Sequence, residues 1–155
     1  ISDHAVNIKE AAEEMRDKKL KFSDKAAAEL KVYTTAIHEI VNMSMDAFAT
    51  ENVEAAENVE PLEEVMDYLK AELKDRHVRR LRKGKCTIEL GFVLTDLITN
   101  YERVADHCSN IAVCLIQVVG NDGFDTHEYL DNIKSKDNEE FKIKVHWYKE
   151  KYELP

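Results

Sequence analysis

The sequence has little glycine and proline, with four and two of these residues among 155. Alanine, glutamate, lysine and leucine are plentiful instead, and this balance predicts an all-α protein with one real core. No apolar run approaches the roughly 18 residues that a membrane-spanning helix needs. The three cysteines (Cys86, Cys108 and Cys114) contain no Cys-x-x-Cys pair, which indicates free thiols in a reducing compartment.

Positive net charge and enzyme signatures are also missing. The net charge is −9, and binding to nucleic acid phosphates requires a basic face, so no nucleic-acid partner is expected. No Glu-x-x-His occurs, which disfavours a carboxylate-bridged di-iron oxidase. There is no His-Glu-x-x-His, no phosphate-binding glycine loop and no nucleophile elbow. We therefore expect a protein that is not an enzyme.

Apolar residues recur at helical spacing in four long segments joined by short turns. These segments are residues 1–20, 23–49, 50–84 and 87–120. Ser23, Thr50 and Thr87 are candidate N-caps, and Pro61 predicts a kink or a fresh helix start. Long helices with short connections predict antiparallel neighbours in an up-and-down bundle.

Residues 124–155 form a different segment. Two short helices are expected there, and Phe141, Val145, Tyr148 and Tyr152 recur on one helical face of the second. Together with Trp147 they predict an aromatic C-terminal extension docked on the bundle.

The fourth long helix carries an unusual polar stripe. Glu102, Asp106 and Asn110 are four residues apart, so they follow one line beside the apolar face. The apolar residues of the same helix form a separate stripe: Leu94, Leu97, Tyr101, Ala105, Cys108, Ala112 and Leu115.

The motif around Asp106 is repeated at the start of the chain. Ile1-Ser2-Asp3-His4-Ala5-Val6-Asn7-Ile8 aligns with residues 104–111 at an offset of 103, with identical Asp, His, Asn and Ile. Such a long-period repeat usually means two copies of one supersecondary unit. Because the chain opens in mid-motif, we expect it to be part of something longer.

A second acidic pair, Glu63 and Asp67, lies beside the apolar face of the third helix. If the two helices are neighbours, four carboxylates converge, and a cation would relieve their repulsion. Such hard oxygen ligands suit iron, manganese, magnesium or calcium. The alternative is a solvated acidic face, since the chain holds 31 acidic residues.

Two roles are possible for the histidines and for the asparagines of the repeated motif. His4 and His107 are expected to make hydrogen bonds between helices or to face solvent, more readily than to ligate metal. Asn7 and Asn110 offer a carbonyl ligand or a bridge between helices.

A dense basic cluster ends the third helix. It comprises Arg76, Arg79, Arg80, Arg82 and Lys83, with His77 and Lys85 beside them. One interpretation is that these cations complement the helix dipole. The other is contact with an acidic partner or an anionic membrane surface.

The sequence resembles the PhoU domain family. Tyr101 to Ala112 is similar to the PhoU signature, in which Glu/Asp-x-x-x-Asp precedes a His or Tyr and an Asn-Ile. Other segments resemble the C-terminal PhoU-like domain of sodium/phosphate cotransporter-family membrane proteins. They are residues 62–67, 76–81, 84–86, 90–91 and 125–155.

The resemblance implies a fold of three-helix repeats, with 1–20 as the last helix of one repeat and 23–120 as the second. It implies a multinuclear cluster of iron, or of zinc, manganese or magnesium. Its ligands would be Glu102 and Asp106, helped by Glu63 and Asp67, with Asp3 in the other cluster.

The same resemblance implies a function. The chain would be the cytoplasmic part of a cell-membrane protein, and would modulate phosphate uptake by contacting the transmembrane transporter portion of the same polypeptide. A homodimer is a second expected partner. The alternative is a metal-free helical adaptor in phosphate signalling.

Overall fold

The computed structural model describes residues 1–120, 126–134 and 138–155. All regular structure in these residues is helical, which confirms the predicted all-α class. The helices are α1 Ser2–Asp17, α2 Asp24–Thr50, α3 Val53–Ala56, α4 Val59–Arg82, α5 Ile88–Gly120, α6 Thr126–Ile133 and α7 Glu139–Lys151.

The core lies between α2, α4 and α5, each of which packs against the other two. The apolar residues that recur at helical spacing along α4 are buried, since Leu62, Met66, Leu69 and Leu73 are at most 1% exposed. The predicted stripe of α5 is buried too, apart from the partly buried Tyr101. Phe48 of α2 lies four residues after the buried Ser44, at helical spacing, but it is 58% exposed and does not belong to this core.

Helix α1 packs mainly on α5 and adds a smaller cluster to the core. Ala11 meets Val93 and Leu97 there, with Ile8 and Met15 at the edge. The short turn that follows uses Lys19 in the left-handed region, at φ 55°. The chain can therefore reverse direction before Ser23, whose hydroxyl accepts the Ala26 amide as predicted for an N-cap.

The connection from α2 to α4 differs from the prediction. Helix α2 continues through Thr50, and Glu51 ends it in the left-handed region at φ 52°. Asn52 rather than Thr50 caps the following short helix, by accepting the Ala55 amide. Pro61 neither kinks α4 nor occupies its first position. It is the third residue of the helix, where its missing N–H would have had no partner anyway.

Helix α7 packs on α4 and fixes the C-terminal segment to the bundle. Tyr148 and Tyr152 are about 95% buried, and Lys151 binds Glu39 of α2 at 2.6 Å. Trp147 is not part of this docked face, since it is 53% exposed on the adjacent side of the helix. None of the helices in the described parts of the chain is long and apolar enough to cross a membrane.

Candidate functional site: an acidic face on α4 and α5

The two predicted acidic pairs lie on neighbouring helices. Glu63 and Asp67 are one turn apart on α4, Glu102 and Asp106 are one turn apart on α5, and the helices pack together. We call these four residues the acidic face. Tyr33 of α2 lies fully buried beneath it, and the pKa of its hydroxyl is raised by burial and then by Glu102 and Asp67.

Asp67 is the carboxylate that interacts with both acidic residues of α5. Its pKa is raised by burial of the carboxyl group and then by Glu102 and Asp106. Lys70 binds Glu102 at 2.7 Å, and Arg103 binds Asp106 at 3.3 Å. Among the described residues, no cation lies within ion-pair distance of Asp67 itself, and Lys70 and Lys134 lower its pKa only from farther away.

Glu63 belongs to a more deeply buried group. Burial and the nearby Glu60 raise the pKa of Glu63 to about 7, while Lys134 opposes the rise. Lys134, just past α6, lies 2.8 Å from Glu60 and 3.2 Å from Glu63. The hydroxyl of Ser109 donates to Glu60 from α5. These contacts tie the end of α6 to α4 and place the ammonium group of the exposed Lys134 against the buried Glu63.

Sequence reasoning missed Glu60, Ser109 and Lys134. Glu60 is 4% exposed and Ser109 is 7% exposed. Ser109 falls four residues after the buried Ala105 and three before the buried Ala112, so the helical pattern of α5 carried a signal for it. Lys134 is 71 residues from Glu63 along the chain, and no local pattern could have paired them.

The acidic face has the oxygen donors that iron, manganese or magnesium bind, but its present arrangement does not fit such a metal. In the residues that the structure describes, no group of three or more His, Cys, Asp or Glu side chains is placed to hold a metal ion. Lys70, Arg103 and Lys134 neutralise part of the charge that a metal would otherwise balance.

The repeated motif on α1 lies against the motif on α5, and its residues bind Asn100. His4 Nδ1 is 2.9 Å from Asn100 Oδ1, and the Asn7 amide donates to the same oxygen at 3.0 Å. The rings of His4 and His107 lie 5.3 Å apart. These side chains therefore join two helices.

Asp3 and Asn110 are separate from the acidic face. Asp3 is exposed, and among the described residues no ion pair of the acidic face involves it. Asn110 and His107 line an open, mainly apolar cavity of about 570 Å³ beside Ile1 and Phe48. The structure thus brings together Glu63, Asp67, Glu102 and Asp106, and it leaves Asp3, His4, Asn7, His107 and Asn110 elsewhere.

The structure divides the basic cluster into two parts. Arg76 and Arg80 bind the fully buried Glu29 of α2 at 3.1 and 2.6 Å. Arg79, Arg82 and Lys83 are exposed at the end of α4. Sequence reasoning missed Glu29, although it falls three residues after the buried Ala26 and four before the buried Tyr33, on the core face of α2.

Comparison with known proteins identifies the family. The PhoU domain matches residues 33–115, which is more than half of the chain and extends from α2 into α5. The chain belongs to the PhoU domain family. All four residues of the acidic face lie within the match, whereas the α1 copy of the motif lies before it.

The chain is also similar to a curated relative. It is 27% identical over 135 residues to the phosphate-specific transport system accessory protein PhoU homolog 1 of Thermotoga maritima. The alignment covers 87% of this chain and 56% of the relative, so this PhoU chain spans little more than half of that protein. No solved structure matches the chain.

Proposed function

We propose that this PhoU chain is the cytoplasmic regulatory domain of a sodium-dependent phosphate transporter and that it modulates phosphate uptake. It would act by docking on the membrane-embedded portion of the same polypeptide, and not by catalysing a reaction. The family match and the name of the Thermotoga relative, an accessory protein of phosphate-specific transport, support this proposal. We propose a sodium-dependent transporter because the sequence resembles the C-terminal domain of sodium/phosphate cotransporter-family proteins.

The observation that carries the proposal is the acidic face itself. Three of its carboxylates, on Asp67, Glu102 and Asp106, interact across two helices within the PhoU match, and the Asp67 side chain is accessible. Clustered carboxylates cost free energy through mutual repulsion unless something positive neutralises them. A basic segment of the transporter would supply that charge and would set the orientation of docking.

A binding measurement tests the docking step. The purified chain would be added to membrane vesicles that contain the membrane portion of the parent protein. We expect the Asp67→Asn/Glu102→Gln/Asp106→Asn variant to bind at least about tenfold more weakly, because each lost charge pair at an interface costs on the order of 1.4 kcal/mol or more.

The matched control is Asp46→Asn/Glu10→Gln/Asp96→Asn, which removes the same three charges from exposed positions outside the acidic face. It should bind like the unaltered chain. Equal weakening of both variants would mean that only net charge matters. Full binding by the acidic-face variant would contradict the proposed docking surface.

Metal binding is a second and separate proposal. The raised pKa of Asp67, caused by burial and by the neighbouring carboxylates, supports affinity of this surface for a cation. Iron, zinc, manganese and magnesium are the candidates, with Glu63, Asp67, Glu102 and Asp106 as ligands and Asp3 in a separate site. Because the present arrangement does not fit a metal, Lys70 would first have to leave Glu102.

Plasma mass spectrometry of the purified chain tests the metal proposal. Metal present in the unaltered chain and lost in Glu102→Ala/Asp106→Ala would support it. No metal in either protein would contradict it and would favour a metal-free helical adaptor.

The expected homodimer also stays a prediction, which sedimentation of the purified chain would test.

A further inference from the structure

A basic cavity of about 740 Å³ lies where α2 begins and α4 ends, away from the acidic face. Ligand-binding cavities usually fall between about 300 and 1,000 Å³, so this one has the size of a small-molecule site. Its lining includes six cationic side chains: Lys25, Arg76, Arg79, Arg80, Lys83 and Lys85. So many cations around one cavity are unexpected in a chain with a net charge of −9.

Two of the six cations are already neutralised and form a fixed wall. Arg76 and Arg80 both bind the buried Glu29, and Arg76 lies 3.6 Å from Glu72, the second carboxylate in the lining. Arg76 also donates to the main-chain oxygen of Pro155 at 2.6 Å, which holds Pro155 at the rim. The guanidinium groups of Arg76 and Arg80 are thus positioned before any ligand arrives, which lowers the entropic cost of binding.

The other four cations have no such partner. Among the residues that the structure describes, no carboxylate lies within ion-pair distance of Lys25, Arg79, Lys83 or Lys85. Arg79 makes only a 3.4 Å contact to the main-chain oxygen of Asp75. All four are exposed, so the described lining has an excess of four positive charges, which only water and dissolved ions screen.

We infer that this cavity binds a short linear polyphosphate, in which several linked phosphoryl groups are held by the unpaired cations at the end of α4. One phosphoryl group carries about 1.5 to 2 negative charges near neutral pH, so a single phosphate would neutralise only about half of the excess. A chain of linked phosphates matches both the charge and the volume. Arginine suits it because the guanidinium group binds phosphate oxygens in pairs.

The composition and shape of the cavity favour a polyphosphate over a nucleotide or an anionic membrane. It contains no aromatic side chain among the described residues, so a nucleobase would have nothing on which to stack. An anionic membrane presents a flat surface, whereas this site is concave and the rest of the chain is acidic. The inference does not depend on the proposed docking to a transporter.

Calorimetric titration of the full chain with inorganic tripolyphosphate tests the inference. We expect Arg79→Ala/Lys83→Ala/Lys85→Ala to weaken binding by at least about tenfold, since each hydrogen bond between charged groups contributes about that factor. All three side chains are exposed, so the variant should remain folded, which circular dichroism would check. The matched control, Lys31→Ala/Lys74→Ala/Arg82→Ala, removes three exposed cations that do not line the cavity and should bind as before.

Titrations with orthophosphate and ATP at equal ionic strength distinguish the ligand class. Tripolyphosphate should bind more tightly than either. Equal weakening in both variants would overturn the inference, because the anion would then be sensing only net charge. Binding of orthophosphate or ATP as tight as that of tripolyphosphate would overturn the assignment to polyphosphate.

Discussion

Glu63 differs from the other carboxylates of the acidic face because it is buried beside Glu60 and depends on one ammonium group. Its pKa is raised to about 7, first by burial and then by Glu60. In the unfolded chain its pKa returns to about 4.3. Between these values the folded protein binds a proton that the unfolded protein has lost, so stability decreases as the pH rises.

We predict that the free energy of unfolding falls by roughly 1–3 kcal/mol between pH 5 and pH 8 through Glu63. Glu63→Gln should remove that part of the dependence, because glutamine does not titrate. Urea denaturation at several pH values would measure the difference between the two proteins. Glu64→Gln, on a more exposed neighbour, serves as the control. An unchanged pH dependence in Glu63→Gln would contradict the assignment.

Glu29 is the other residue whose role depends on burial. It is fully buried and bound by both Arg76 and Arg80. Glu29→Ala would leave two arginines without their shared carboxylate, and we predict a loss of about 3–5 kcal/mol in the free energy of unfolding. Asp46→Ala, at an exposed position on the same helix, should change it by less than about 0.5 kcal/mol. Similar losses in the two variants would show that Glu29 is not a structural ion-pair partner.

At the scale of the elements, the close approach of α5 to the end of α4 depends on Gly91. A Cβ atom at this position would lie 2.6 Å from Nε2 of His77. His77 is 8% exposed, and its Nδ1 lies 3.5 Å from the sulfur of Cys86. The imidazole is therefore confined between the two helices and cannot simply turn away into solvent.

We predict that Gly91→Ala destabilises the fold by up to roughly 2 kcal/mol. Overpacking costs about 1–3 kcal/mol, and it outweighs the gain of about 1 kcal/mol from the higher helix propensity of alanine. In the His77→Ala background, Gly91→Ala should become neutral or stabilising, because the imidazole ring with which its Cβ would clash is absent. A double-mutant cycle by urea denaturation measures this coupling. A stabilising Gly91→Ala in the unaltered chain would contradict the packing argument.

Helix boundaries show what local sequence can and cannot specify. Ser23 and Thr87 were predicted as caps, and both accept the amide three residues later. The prediction that Thr50 caps a helix was wrong. Glu51 ends α2, and Asn52 then caps α3. A residue's cap role depends on where the left-handed turn falls, and Glu51 gives no strong local signal for that conformation.

For the whole molecule, the apolar periods of α2, α4 and α5 were enough to predict the bundle, since each period defines one buried face. The acidic pairs on α4 and α5 were correctly placed as neighbours of that core. The contacts of Lys134 and Glu29 could not be predicted, because they join residues far apart in the chain. The division into a partial first repeat, a second repeat at 23–120 and a C-terminal extension stays a prediction.

Sodium-dependent uptake of radiolabelled phosphate by vesicles that contain the whole parent protein is the most direct test of the regulatory role. The account predicts that Asp67→Asn/Glu102→Gln/Asp106→Asn changes the uptake rate several-fold, as typical regulatory couplings do, while Asp46→Asn/Glu10→Gln/Asp96→Asn leaves it unchanged. Equal rates for the unaltered protein and the acidic-face variant, with equal amounts of protein in the membrane, would contradict the account.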